Sequence, residues 1–176
     1  MKPIAPVVAI FSAIAIGIVI IMETKSINET YDLQPTAGGA FNNPLNIRKT
    51  SILWKGEILP VNNSSAFESF ASMAYGFRAA LVNMRTHYSR DGADTIRKQI
   101  TIWAPLGDGK NDPTQYTQTV TNYLRAIYPD FNPDANAQEY LYTDRASDLL
   151  LAMTYVEQGS QFAVNEDDLR EGIKLA

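Results

Sequence analysis

Asn42-Asn43-Pro44-Leu45-Asn46-Ile47-Arg48, with Trp54-Lys55-Gly56-Glu57 shortly after, cannot belong to a regular helix. Short amides compete for backbone hydrogen bonds, and Pro44 pushes Asn43 out of the helical region. The stretch is a shaped polar loop. Because it carries Leu45, Ile47, Arg48 and Trp54 together, it has the make-up of a groove wall facing hydroxyl-rich and amide-rich ligands.

Downstream, Ile52-Leu53-Trp54 and Ile58-Leu59-Pro60-Val61 are short apolar pieces broken by Gly56 and by Asn62-Asn63-Ser64-Ser65, a pattern that predicts a small irregular β-hairpin. Periodicity then turns helical. Ser72 is positioned to cap a helix whose apolar residues Phe77, Leu81, Met84 and Tyr88 step by four, three and four, ending near Gly92. A short helix from Asp94 or Thr95 places Ile96, Ile100 and Trp103 on one side and stops at Pro105. Asp112, Pro113 and Gln115 open the next with a capping-box pattern, its core face running from Tyr116 to Ile127 before Pro129. A segment around Ala137 to Tyr142 is helical by pattern. Asp144 caps a helix rich in Leu149, Leu150, Leu151 and Met153 that Gly159 terminates, and Asn165 caps the last helix, with Val164 and Leu169 as a staple. The expected domain is mainly helical.

Upstream, Ile4 to Met22 contains no charged residue and is apolar on every side. Nineteen residues at about 1.5 Å each make a helix of roughly 28 Å, close to the hydrocarbon thickness of a bilayer. A cleaved signal peptide is the competing reading, but Met22-Glu23-Thr24-Lys25 offers no small-x-small cleavage site. The expected organisation is a transmembrane anchor over 1–25, a linker over 26–40 and a single domain over 41–176. Lys2 before the apolar run places the body of the protein outside the cytoplasm by the positive-inside rule.

The net charge of -4 gives no basic footprint for a phosphate backbone, so nucleic acid is not an expected partner. Without cysteine there is neither disulfide nor thiolate chemistry, and one histidine, His87, makes an ordinary zinc or iron site improbable. His87 fits a surface or half-buried structural position on its helix. No phosphate-binding glycine loop or serine elbow is present, which leaves carboxylate chemistry and implies no metal or organic cofactor.

Glu157 is the foremost acid. It follows Met153 by four residues and Leu150 by seven, on an apolar stripe, in the last turn before Gly159. Apolar surroundings and the carbonyl end of a helix both disfavour an anion there and raise the carboxyl pKa, as a group that protonates a leaving oxygen requires. The bland alternative is a glutamate turned into solvent at a frayed helix end. Glu57, in the predicted hairpin, and Glu68, between Phe67 and Phe70, are its rivals. Arg48 fits either a carboxylate partner or a sugar acetamido group, and Trp54, Tyr75, Trp103 and Tyr116 fit either sugar stacking or the core.

Taken together, the Asn42–Arg48 run, Trp54-Lys55-Gly56-Glu57, Phe67-Glu68-Ser69-Phe70-Ala71-Ser72-Met73-Ala74-Tyr75-Gly76-Phe77-Arg78-Ala79-Ala80 and Trp103-Ala104-Pro105 resemble phage-encoded and bacterial lysozyme-like proteins, a group of virion structural proteins and peptidoglycan hydrolases. More distantly, Asn43 to Arg48 with Trp54 and Gly56 is similar to the groove wall of glucosaminidases and lytic transglycosylases of the lysozyme superfamily, where it follows a catalytic helix ending in Glu-Ser-Gly. Leu149 to Gly159 is similar to that helix, with Gln158 in place of serine, so the resemblance implies a circularly permuted order. It further implies an α+β lysozyme-like fold and a glycosidase cutting the peptidoglycan glycan strand. Glu157 would be the general acid, and Asn43, Asn46, Arg48, Trp54 and Tyr75 would hold the sugar. A virion with an internal membrane would use the anchor, beside other virion membrane proteins as partners; the non-enzymatic alternative is a wall-binding or structural virion module with a degenerate groove.

Overall fold

The computed structural model describes residues 41–58, 66–109 and 111–176. Within them six helices succeed one another: α1 (Met73–Arg90), α2 (Ile96–Trp103), α3 (Pro113–Ile127), α4 (Gln138–Tyr142), α5 (Ala146–Gln158) and α6 (Glu166–Leu175). The domain is mainly helical with little strand. The apolar run 4–22, the linker 26–40 and the second half of the expected hairpin all lie outside the described residues. Among the described residues no helix is long and apolar enough to cross a membrane.

The caps follow their chemistry. Thr95 accepts from Lys98 N, Asp112 from Thr114 N and Gln115 N with Pro113 at the first helical position, and Asn165 from Asp167 N and Asp168 N, so each satisfies amides left over at a helix start. Two other expected caps differ in detail: Ser72 sits at the N-cap of α1 without a side-chain cap bond, and α5 starts at Ala146 behind Arg145, leaving Asp144 in the preceding turn.

α5 is buried on nearly all sides, with Leu149, Leu150, Ala152, Met153 and Thr154 at 2% exposure or less. It packs on α3, while α6 lies along α1. Burying Phe77, Leu81 or Met84 of α1 stabilises the fold by roughly 1.5–3 kcal/mol each. Gln99, buried on α2, donates to Met84 O at 3.1 Å and Ala93 O at 2.7 Å, tying α2 to the end of α1.

Among the described residues the arm 48–57 lies antiparallel to 67–70, through the isolated bridges Arg48 with Phe67 and Glu57 with Phe70. The asparagine loop sits on α1 because residue 76 is glycine. A Cβ there would collide with Asn42 O and stand 2.6 Å from Pro44 Cδ. Gly76→Ala should therefore lower stability by about 2 kcal/mol through overpacking, read as a lower urea midpoint at constant slope.

Candidate functional site

The loop that opens the domain is built by its asparagines. Asn42 and Asn46 adopt left-handed backbone with φ of 52° and 50°, which asparagine tolerates better than other side chains with a Cβ. Asn43 is fully buried, and its side chain acts as a backbone splint: Nδ2 donates to Ile47 O at 2.9 Å and Glu68 O at 3.1 Å, and Oδ1 accepts from Ile47 N at 2.8 Å.

Asn46 turns the other way, toward the end of α5. Its Nδ2 donates to Glu157 Oε2 at 3.0 Å and to the Glu157 carbonyl at 3.2 Å, and its Oδ1 accepts from Gln158 Nε2 at 3.1 Å. Gln158 also donates to Pro44 O at 3.0 Å. The loop thus supplies a donor to a last-turn carbonyl of α5, which no intrahelical amide can reach. In this chain a glutamine after the glutamate clips the loop onto the helix, a reach that serine lacks.

Glu157 is held, not frayed. Its Oε1 accepts from Trp103 Nε1 and from Tyr116 OH, each at 3.0 Å. Burial pushes its carboxyl above the usual glutamate range, although the three donors Asn46, Tyr116 and Trp103 each favour the anion. The Tyr116 hydroxyl is raised well above its ordinary value by burial first and by Glu157 second, so it remains a donor.

Two clefts meet at this carboxyl. The first, of about 490 Å³, runs between the arm at Asn46 to Trp54, the Asn83–His87 face of α1 and the loop after α2. The second, of about 370 Å³, runs along Asp112, Gln115, Tyr116 and Thr119 of the α3 start and Tyr155 and Val156 of α5. Glu157 and Asn111 line both.

The other sequence candidates divide. Arg48 lines the first cleft but is paired with Asp108 at 3.0 Å across its mouth, and both are substantially exposed, so the pair stabilises little. Trp54 lines the same cleft from the core, at 7% exposure, as wall and not as an open stacking face. Tyr75 is away from both clefts: its ring lies against Gly56, where a Cβ would collide with it. Asn43 is enclosed and offers nothing to a ligand. Neither rival acid lines a cleft. Glu57 accepts from Trp54 N at 3.0 Å within its own turn. Glu68, 3% exposed, accepts from Thr50 N at 2.8 Å, and burial raises its carboxyl in spite of that bond.

Trp103 and Tyr116 belong to the carboxyl's immediate surroundings, and Asn83, His87 and Asn111 face the clefts. Spacing along the chain could not find the last three. Asn83 and His87 are four apart on a helix otherwise read from its apolar face, and Asn111 lies in a loop.

No family model matches the chain. Over 115 residues, covering 64% of this chain and 67% of the relative, it is 32% identical to Protein P5 of Pseudoalteromonas phage PM2. A match of that extent between a chain of this length and a phage protein places it: the chain belongs to the family of the phage PM2 Protein P5.

Proposed function

We propose that the domain is a lysozyme-like glycosidase acting on the glycan strand of peptidoglycan, carried by a phage and anchored in a membrane through residues 4–22 with its body outside the cytoplasm. The observation that supports this most is the position of Glu157, a largely buried carboxyl with a raised pKa where two clefts join. In this reading Glu157 protonates the glycosidic oxygen as the bond from the anomeric carbon breaks. The resulting carboxylate then takes the proton of the attacking hydroxyl, from water in hydrolysis or from the muramic 6-hydroxyl in transglycosylation. The other acids lining the clefts are engaged, Asp108 with Arg48 and Asp112 as the cap of α3, so Glu157 serves as both acid and base. Trp103 holds Glu157 by its indole nitrogen and presents its ring to the first cleft beside it, a surface for an adjoining sugar.

A zymogram on purified peptidoglycan tests the reading, with the products weighed. Anhydro ends mark transglycosylation, and reducing ends mark hydrolysis. Binding of intact walls without any clearing would favour a second reading, a structural or wall-binding virion protein. That reading draws on the fact that both Glu157 oxygens already accept hydrogen bonds from the protein, as a purely structural tie would.

The pH profile offers a separate check. Clearing needs the protonated acid, so with a raised Glu157 pKa the alkaline limb of kcat/KM lies above that of an ordinary glutamate. Trp103 favours the anion, so Trp103→Phe should move that limb further up. The stability sign agrees: a carboxyl raised on folding adds stability below its unfolded pKa, lost as pH rises through the folded value.

A further inference from the structure

Most polar side chains of the first cleft already have partners within the protein. Asn46 is bound to Glu157 and Gln158, Arg48 to Asp108, and Thr50 Oγ1 accepts from Ile52 N. Two on α1 differ. The carboxamide of Asn83 has no hydrogen-bond partner among the described residues, and both Asn83 and His87 line the cleft, half-buried, on successive turns of one helix. His87 is oriented by Asp91, whose Oδ2 lies 2.7 Å from Nδ1. A carboxylate only accepts, so the proton of the neutral ring sits on Nδ1 and Nε2 is left as an acceptor. Among the described residues nothing donates to Nε2.

Resting on the glycosidase reading, we propose that Asn83 and His87 form a saccharide subsite in the first cleft, reading a sugar beside the one attacked at Glu157. His87 Nε2 accepts from a hydroxyl or an acylamino N–H of that sugar, and the Asn83 carboxamide pairs with a neighbouring hydroxyl or carbonyl. Residues four apart on a helix hold their Cβ atoms about 5–6 Å apart, a span that one pyranose ring bridges. The ligand class follows from the partners. The cleft has no uncommitted arginine among its lining residues, since Arg48 is paired with Asp108, and Glu157 opposes any anion, whereas an acceptor beside an amide suits a neutral, hydroxyl-rich ring. Asp91 is a positioning residue that holds the imidazole for this contact. The sugar bound there would raise affinity for longer strands, since binding energy away from the scissile bond contributes to transition-state affinity.

His87 is the one histidine of the chain, so its ring gives a single imidazole signal. The full chain in detergent, labelled at histidine with ring ¹⁵N and carrying Glu157→Gln to prevent cleavage, is titrated with the tetramer of N-acetylglucosamine. The Nε2 resonance should shift and saturate, and His87→Phe or Asn83→Ala should weaken binding about tenfold, about 1.4 kcal/mol. In the catalytically intact chain His87→Phe should raise KM by more than it lowers kcat. A tetramer that binds, by saturation transfer to its protons, while the imidazole resonance stays put overturns the subsite; so does the absence of binding up to millimolar tetramer. The two readings fail separately. A shifting imidazole in a protein whose wild-type chain clears no walls leaves the subsite and removes the glycosidase, whereas clearing by the wild-type chain with an imidazole that stays put removes the subsite alone.

Discussion

Glu157→Gln should reduce clearing of purified peptidoglycan about a thousandfold, within the range that loss of a general acid produces, with the fold retained. Glutamine has the same shape, and its amide oxygen can still accept from Trp103 Nε1 and Tyr116 OH. Its amide nitrogen meets Asn46 Nδ2, now donor against donor, and losing that bond costs about 1 kcal/mol. Relief from burying a charge offsets part of the cost, because burial is the largest influence raising the Glu157 pKa. A near-unchanged melting temperature with lost clearing is therefore the expected pair of results. Clearing equal to wild type would transfer the role to Glu57 or Glu68, whose glutamine variants serve as controls. Their carboxylates accept from Trp54 N and Thr50 N, and neither lines a cleft.

The largest loss of stability is expected from Asn43→Ala. The substitution removes two donated bonds and one accepted bond, and leaves Ile47 N and Glu68 O without the partner they have in the folded loop. Ile47 O keeps a second bond, from Glu68 N at 2.9 Å. Unsatisfied buried backbone groups cost about 1–3 kcal/mol each, and the total should be about 3 kcal/mol. For a domain of this size that is about a 10 °C fall in Tm. Clearing should fall as well, because the splint also presents Asn46 to Glu157. A drop below 1 kcal/mol, roughly the worth of a single ordinary hydrogen bond, would show that the loop keeps its shape by packing alone.

These expectations separate three asparagines that look alike in one dimension. Asn42 and Asn46 hold left-handed turns, Asn43 braces the backbone, and Asn46 alone reaches the candidate acid. Similarly, Glu57, Glu68 and Glu157 share a side chain and differ in surroundings: two satisfy amides of the arm, and one stands at the junction of the clefts. His87 is half-buried on its helix, as its spacing suggested. Its pairing with Asp91 is a one-turn contact visible in the spacing, but its place in a cleft is set by the arm from Asn46 to Trp54 approaching from the opposite side.

The chain by itself determined the helical architecture, because local devices carry that information: four-and-three apolar steps in α1, a capping Thr95, Asp112 and Asn165, and Pro113 at the start of α3. It also singled out Glu157, since an acid on an apolar stripe beside a helix end is an anomaly visible from spacing alone. Only the tertiary structure decided what that acid touches. Its partners Asn46, Trp103 and Tyr116 lie 111, 54 and 41 residues away. The packing of the loop on α1, of α2 on α3 and of α3 on α5 brings them within hydrogen-bonding distance, and no periodicity encodes the meeting of segments so far apart.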